Sequence, residues 1–142
     1  MLHKVNEGIN GSNFKEVIEK SLQLQLKENE VNIVLFIDRQ SVIEQVFHHY
    51  FGYDNKKEFI ENKFLKIKNG STIINIYLQS NDMDNVIVNE NRGVVIRVYT
   101  KPNEFDKLFK NANYENMYKI YLPWHKKELA EYLNINNNSI EI

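Results

Sequence analysis

Three short polar pairs in the chain combine side chains that could bind an anionic or aromatic ligand. Each pair follows a stretch apolar enough to be a β-strand, and each precedes a stretch with helical spacing. Together they offer a carboxylate, two cations, a hydroxyl, an indole and a titratable imidazole. The amino ends of helices next to such groups favour negative charge. The pairs are Asp38-Arg39, Thr100-Lys101 and Trp124-His125.

The three pairs form one site only if the strands before them are parallel neighbours. The carboxyl ends of parallel strands meet at one edge of a sheet, where ligands of open α/β folds commonly bind. Polar residues at strand ends also have a purely structural explanation, because they cap the first N–H groups of the following helices. We therefore treat a small anionic ligand at this edge as one hypothesis and helix capping as its alternative.

Metal chemistry has weaker support in the sequence. Asp82 and Asp84 form a close acidic pair in a predicted loop, and their hard oxygens suit divalent cations. This loop lacks the glycine and the terminal glutamate of an EF-hand, so solvated polarity is the simpler explanation. His48 and His49 are adjacent in a predicted helix, and we expect their side chains to face different directions. We therefore expect no metal site and no cofactor.

Tyrosines near the end of the chain could form an interaction surface. Tyrosine is enriched in protein interfaces, because its ring is apolar and its hydroxyl is polar. The candidates for such a surface are Tyr114, Tyr118 and Tyr121. The alternative is that they are core tyrosines whose hydroxyls reach the rim of the fold.

Composition narrows the classes of function. The 142 residues carry a net charge of −1, and arginine occurs only as Arg39, Arg92 and Arg97. Because arginine is preferred for phosphate and base contacts, this composition disfavours a dedicated nucleic-acid-binding protein. Cysteine is absent, which excludes thiolate catalysis and disulfides. No apolar run is long enough to span a membrane and no signal peptide is recognisable, so we expect a cytoplasmic protein.

One strand, residues 31–37, is expected to be central to the fold. This run is almost continuously apolar and rich in β-branched residues, which is typical of a strand buried on both faces. Further strands are predicted at 63–68, 71–78, 86–88, 94–100 and 117–122. Helices are predicted at 14–27, 42–51, 55–60, 103–109 and 125–133.

These elements predict a single α/β domain over residues 1–142, with loose termini at 1–12 and 134–142, of which the second could form at most an edge strand. The sheet is expected to be mixed and partly parallel, with about six strands and with helices on both faces. Helical crossovers should make the central strand parallel to the next strand, and the 94–100 strand parallel to the 117–122 strand. The pair Asn69-Gly70 predicts a type I′ hairpin turn. With that turn, one face of the hairpin should carry Leu65, Ile67, Thr72, Ile74, Ile76 and Leu78.

Three functions remain open. We prefer a small non-enzymatic binding protein that contacts a protein partner or a second copy of itself. The AT-rich codon bias behind the abundant Asn, Lys and Ile fits an accessory or inhibitory protein of a phage or mobile element from a low-GC source. The second function is a sensor or enzyme that binds a nucleotide-like ligand at the strand edge. The third is a metal-dependent nuclease that uses Asp38, Asp82, Asp84 and Glu90.

Overall fold

The apolar run that follows Glu30 forms the middle strand of a β-sheet. The computed structural model describes residues 11–37, 40–79, 92–98 and 116–122, together with the backbone of 2–4 and 140–141. The described strands are β1 (Leu2–Lys4), β2 (Glu30–Ile37), β3 (Phe64–Asn69), β4 (Thr72–Gln79), β5 (Val94–Val98), β6 (Tyr118–Leu122) and β7 (Ile140–Glu141). The described helices are α1 (Gly11–Gln23), α2 (Gln40–Val46), α3 (His48–Phe51) and α4 (Tyr53–Asn62).

The predicted α/β class with a mixed, partly parallel sheet is confirmed. The strand order is β3-β4-β2-β5-β6-β1-β7, and among these strands β3–β4 is the antiparallel pair. β2 has a parallel partner on each side, and every one of its residues after Glu30 is buried. Burial on both faces explains why this strand is apolar at nearly every position. The predicted strand at 86–88 lies outside the described residues.

The two faces of the sheet carry different cores. On the first face, alternate residues of β2 pack with the buried residues of α1 to α4 in one large cluster. On the second face, a smaller cluster contains Val34, Phe36, Val95 and Met117. Helices were predicted on both faces. The four described helices pack on the first, and the helices predicted at 103–109 and 125–133 lie outside the described residues.

The helices between β2 and β3 bring the chain back to the edge from which it left. Lys63, which follows α4, donates a hydrogen bond from Nζ to Oε1 of Gln40, the first residue of α2 (3.2 Å). β3 therefore starts at the carboxyl edge of β2 and runs antiparallel to it, and β4 becomes the parallel neighbour. The prediction that β2 and the next strand are parallel is wrong, because the helical excursion runs out and back. The predicted parallel pairing of β5 with β6 is confirmed.

Helix boundaries differ from their predictions in three places. α1 begins at Gly11 and ends at Gln23, and residues 24–27 form turns. The turns allow Gln25 to point inward and bond to β2. The helix predicted at 42–51 is interrupted at Phe47, so that α2 and α3 are separate. α4 extends beyond the predicted 55–60 at both ends.

The hairpin turn is displaced by one residue from its prediction. Asn69 pairs with Thr72, so Gly70 and Ser71 are the turn residues. Gly70 has a φ of +64°, and Lys63 is the non-glycine residue with a positive φ among those described. A positive φ at the first turn position alone is typical of type II′ and not of type I′. The predicted faces are nevertheless correct, because Leu65, Ile74, Ile76 and Leu78 are all buried.

Both ends of the chain contribute strands to the sheet. β1 lies between β6 and β7 and is parallel to both. The predicted loose terminus at 1–12 is therefore wrong for Leu2–Lys4. At the other end, the edge strand Ile140–Glu141 lies within the predicted loose segment 134–142. Short strands with distant partners leave little local signal, since their stabilisation comes from non-local pairing.

Candidate functional site

The carboxyl ends of β2, β5 and β6 lie side by side. The three strands are parallel neighbours, and their last residues are in register: Ile37 pairs with Val98, and Val98 with Leu122. The three strands therefore end at one edge of the sheet, just before residues 38, 99 and 123. The predicted ligand site depends on this convergence. Its residues lie outside the described residues and are Asp38, Arg39, Thr100, Lys101, Trp124 and His125.

The order of strands changes direction between β2 and β5. The strands that follow β2 in the chain, β3 and β4, lie on one side of it, whereas β6, which follows β5, lies on the other. The next described strands after β2 and after β5 therefore lie on opposite sides of this pair. In open α/β sheets such a point opens a crevice beyond the carboxyl ends, and ligands bind there.

A row of buried side chains crosses four strands just inside this edge, on the second face. Phe36 pairs with Gln79 on one side and with Arg97 on the other, and Arg97 pairs with Tyr121. The guanidinium carbon of Arg97 lies 3.9 Å from the centroid of the Phe36 ring, a cation–π contact. Arg97 is 1% exposed. Sequence reasoning did not single it out, although a charge within an otherwise apolar strand was a usable signal.

The amino edge of the sheet is organised around Asn32. Gln25 Oε1 accepts the Asn32 N–H (3.0 Å), and Gln25 Nε2 donates to the Asn32 carbonyl (3.2 Å). The Asn32 amide donates to the carbonyl of Arg92 (3.3 Å) and accepts from Nδ2 of Asn75 (3.2 Å). Gly93 packs so closely that a Cβ there would lie 2.5 Å from the Asn32 carbonyl oxygen. Asn32 thus joins the α1–β2 turn to the start of β5.

A cavity of about 710 Å³ opens at this amino edge. It lies within the size range of small-molecule sites. Its walls come from the α1–β2 turn and from the starts of β5 and β6. We call it the amino-edge pocket, and its lining includes Leu24, Gln25, Glu28, Arg92, Gly93 and Tyr118. No sequence motif pointed to it, because its lining comes from three separate stretches, 24–28, 92–93 and 116–118, which meet only through the sheet.

The three tyrosines of the predicted interaction surface differ in what the structure shows of them. Tyr121 is fully buried, so it does not belong to an exposed surface. Tyr118 is 38% exposed and lines the amino-edge pocket. Tyr114 lies outside the described residues. The in-register pairing of β6 with β5 turns Tyr121 toward Arg97, whereas Tyr118 stands at the open start of the strand.

The histidine pair is closer than predicted. The rings of His48 and His49 have centroids 4.2 Å apart, so the expectation that they face different directions is wrong. They lie in a four-residue helix that packs against α1, and the ring of His49 lies against Gly11. His48 also stacks on Tyr53, with centroids 4.4 Å apart.

Metal ligands do not cluster in the part of the chain that the structure describes. No group of three His, Cys, Asp or Glu side chains there comes close enough to hold a metal ion. The weak metal candidates Asp82 and Asp84 lie outside the described residues. So do the other two residues of the nuclease hypothesis, Asp38 and Glu90.

Comparison with known proteins leaves the functional argument to the fold and the local geometry. No protein-family model matches the chain, and no curated protein or solved structure is significantly similar to it. Among the described helices, none is long and apolar enough to cross a membrane.

Proposed function

We propose that the protein binds a small anionic, nucleotide-like ligand at the carboxyl edge of β2, β5 and β6. The observation that carries this proposal is the in-register, parallel arrangement of the three strands, with the strand order reversing between β2 and β5. The segments that leave this edge begin with Asp38-Arg39 and contain Thr100-Lys101 and Trp124-His125. Their two cations suit a phosphate or carboxylate, and the indole suits a base or another ring.

A thermal-shift screen of the full chain tests the proposal. The probes are ATP, GTP, AMP and inorganic phosphate, each with and without Mg²⁺. A ligand at about 100 times its Kd raises the free energy of unfolding by about 2.7 kcal/mol, which is several degrees in Tm for a domain of this size. We expect at least one nucleotide to produce such a shift.

Substitutions at the strand edge test whether the ligand binds there. Arg39→Gln and Lys101→Gln each remove a charge at the proposed edge, and each should reduce the shift. Lys57→Gln removes an exposed charge on α4 and serves as the matched control. The proposal is wrong if none of the probes shifts Tm, or if the shift is the same in all three variants.

A second candidate function, self-association, is favoured by one aromatic side chain. Tyr53 is 70% exposed, yet its ring is held by stacking on His48 at an interplanar angle of 12°. A preorganised exposed tyrosine is a typical interface anchor. Light scattering at two protein concentrations tests this function. It is supported if the wild-type protein is a dimer, if Tyr53→Ser is a monomer, and if Tyr118→Ser remains a dimer. A strict monomer at both concentrations contradicts it.

A further inference from the structure

The amino-edge pocket lies at the opposite edge of the sheet from the proposed nucleotide-like site and has its own rigid frame. Two of its three walls are attached to Asn32. Gln25 holds the α1–β2 turn to the Asn32 backbone, and the Asn32 side chain holds the carbonyl of Arg92. The third wall is fixed by the Tyr118 N–H, which donates to the Gly93 carbonyl (2.9 Å). A pocket that is already formed loses little conformational entropy when a ligand binds.

The two sides of this pocket differ in charge. The α1 side carries the Glu28 carboxylate and lies at the carboxyl end of α1, where the helix dipole favours positive charge. The β5 side carries Arg92, an exposed residue with a cationic side chain. A guanidinium has five N–H donors, so Arg92 can contact a ligand while keeping its interaction within the protein. The pocket therefore has one side for a cation and one for an anion.

The remaining lining suits a small organic molecule better than a bare ion. Leu24 and the ring of Tyr118 supply apolar surface beside the charged groups. A second, smaller cavity of about 290 Å³ shares Gln25, Glu28 and Arg92 with the pocket. The second cavity is also lined by the charged residues Lys27 and Glu30.

We propose that the amino-edge pocket binds a small zwitterion of the α-amino acid type, with its carboxylate at Arg92 and its ammonium at Glu28. Opposite charges on opposite walls match the two ends of such a molecule. They also favour the zwitterion over its singly charged analogues, since each analogue lacks the group that would contact one of the two walls. This site is independent of the nucleotide-like site, because the two lie at opposite ends of the strands.

Binding of free amino acids to the full chain tests this proposal. Each of the twenty standard L-amino acids is screened by thermal shift at about 10 mM, and the best is measured by calorimetry. Its analogues without the ammonium group and without the carboxylate are then compared with it. We expect each analogue to bind at least about tenfold more weakly, the size of a lost hydrogen bond to a charged group.

Variants of the two charged residues locate the binding. Arg92→Gln and Glu28→Gln should each weaken the amino acid about tenfold or more, whereas Lys57→Gln and Glu58→Gln on α4 should not. All four positions are exposed, so circular dichroism should show each variant folded. The proposal is overturned if no amino acid binds, if the analogue without ammonium binds equally well, or if Arg92→Gln and Glu28→Gln bind like wild type. A nucleotide shift that persists in Arg92→Gln shows that the two sites are separate.

Discussion

At the residue scale, a few buried polar side chains join separate parts of the fold through hydrogen bonds that apolar residues could not make. Asn32 interrupts the most apolar strand of the protein, yet it is buried and its polar groups are bonded. Because a buried unpaired amide costs about 1–3 kcal/mol, these bonds explain how an asparagine can occupy the central strand. The same residue positions Gln25 and Arg92, which line the amino-edge pocket.

Gly93 has no room for a side chain. Its φ is +138°, and an added Cβ would lie 2.5 Å from the carbonyl oxygen of Asn32. Gly93→Ala should therefore lower the free energy of unfolding by about 3 kcal/mol or more, from backbone strain and overpacking together. Urea denaturation measures this change. Gly70→Ala is the control: its φ is also positive but its Cβ would meet nothing within 4 Å, so we expect about 1–2 kcal/mol. Equal losses in the two variants would contradict the steric explanation.

His48 should make the protein less stable in mild acid. Desolvation, followed by the charges of His49 and Lys56, lowers the pKa of His48 from its ordinary value near 6.5. In mild acid the folded state then binds fewer protons than the unfolded state. The free energy of unfolding is therefore unaffected by His48 above pH 6.5, and it declines as the pH falls through 6.5.

Urea denaturation between pH 5.5 and pH 8 measures this dependence. His48→Gln should reduce the slope, and Lys56→Gln should reduce it in part. An unchanged slope in His48→Gln would assign the dependence to other groups.

At the element scale, the helices on the first face are joined by aromatic packing. Phe47 lies at the break between α2 and α3, and its ring stacks on Phe51 and on Phe59 at 4.6 and 4.5 Å. Phe59 belongs to α4, so one buried ring connects three helices. The short α3, with four residues, depends on this packing, because an isolated single turn of helix is not stable in water.

Phe47→Leu tests that connection. The substitution removes three aromatic contacts, with Phe14, Phe51 and Phe59, each contributing about 0.5–1.5 kcal/mol beyond its buried area. We expect the free energy of unfolding to fall by about 1.5–4.5 kcal/mol, measured by urea denaturation. Phe64 is half-buried in an edge strand and has one aromatic neighbour at 5.0 Å. Phe64→Leu should therefore lower the free energy of unfolding by less. A larger loss in Phe64→Leu would show that the aromatic cluster is not what holds these helices.

At the scale of the whole molecule, the two ends of the chain meet in the sheet. β1 pairs with β6 on one side and with β7 on the other, so its backbone is bonded on both sides. His3→Pro removes one N–H from this strand and should lower Tm, because proline is not tolerated within an internal strand. His3→Ala keeps the backbone donor and should change Tm much less. If the two variants melt alike, β1 contributes little to stability.

Much of the architecture follows from local sequence pattern. The apolar run of β2, the hairpin faces of β3 and β4 and the strands at β5 and β6 were all predicted, because side-chain alternation and turn residues are local signals. The out-and-back helical path was not predicted. It depends on where α4 ends relative to α2, and the Gln40–Lys63 contact joins residues 23 positions apart.

The sequence by itself determined the strands β2 to β6 and which of their faces are apolar, since these depend on the types of neighbouring residues. Tertiary structure alone decided the strand order, and with it both candidate ligand edges. The parallel, in-register alignment of β2, β5 and β6 brings three strand ends together. The amino-edge pocket depends on a bond between Asn32 and Arg92, 60 residues apart. Such contacts are selected by packing of the whole sheet, and no local pattern in the chain encodes them.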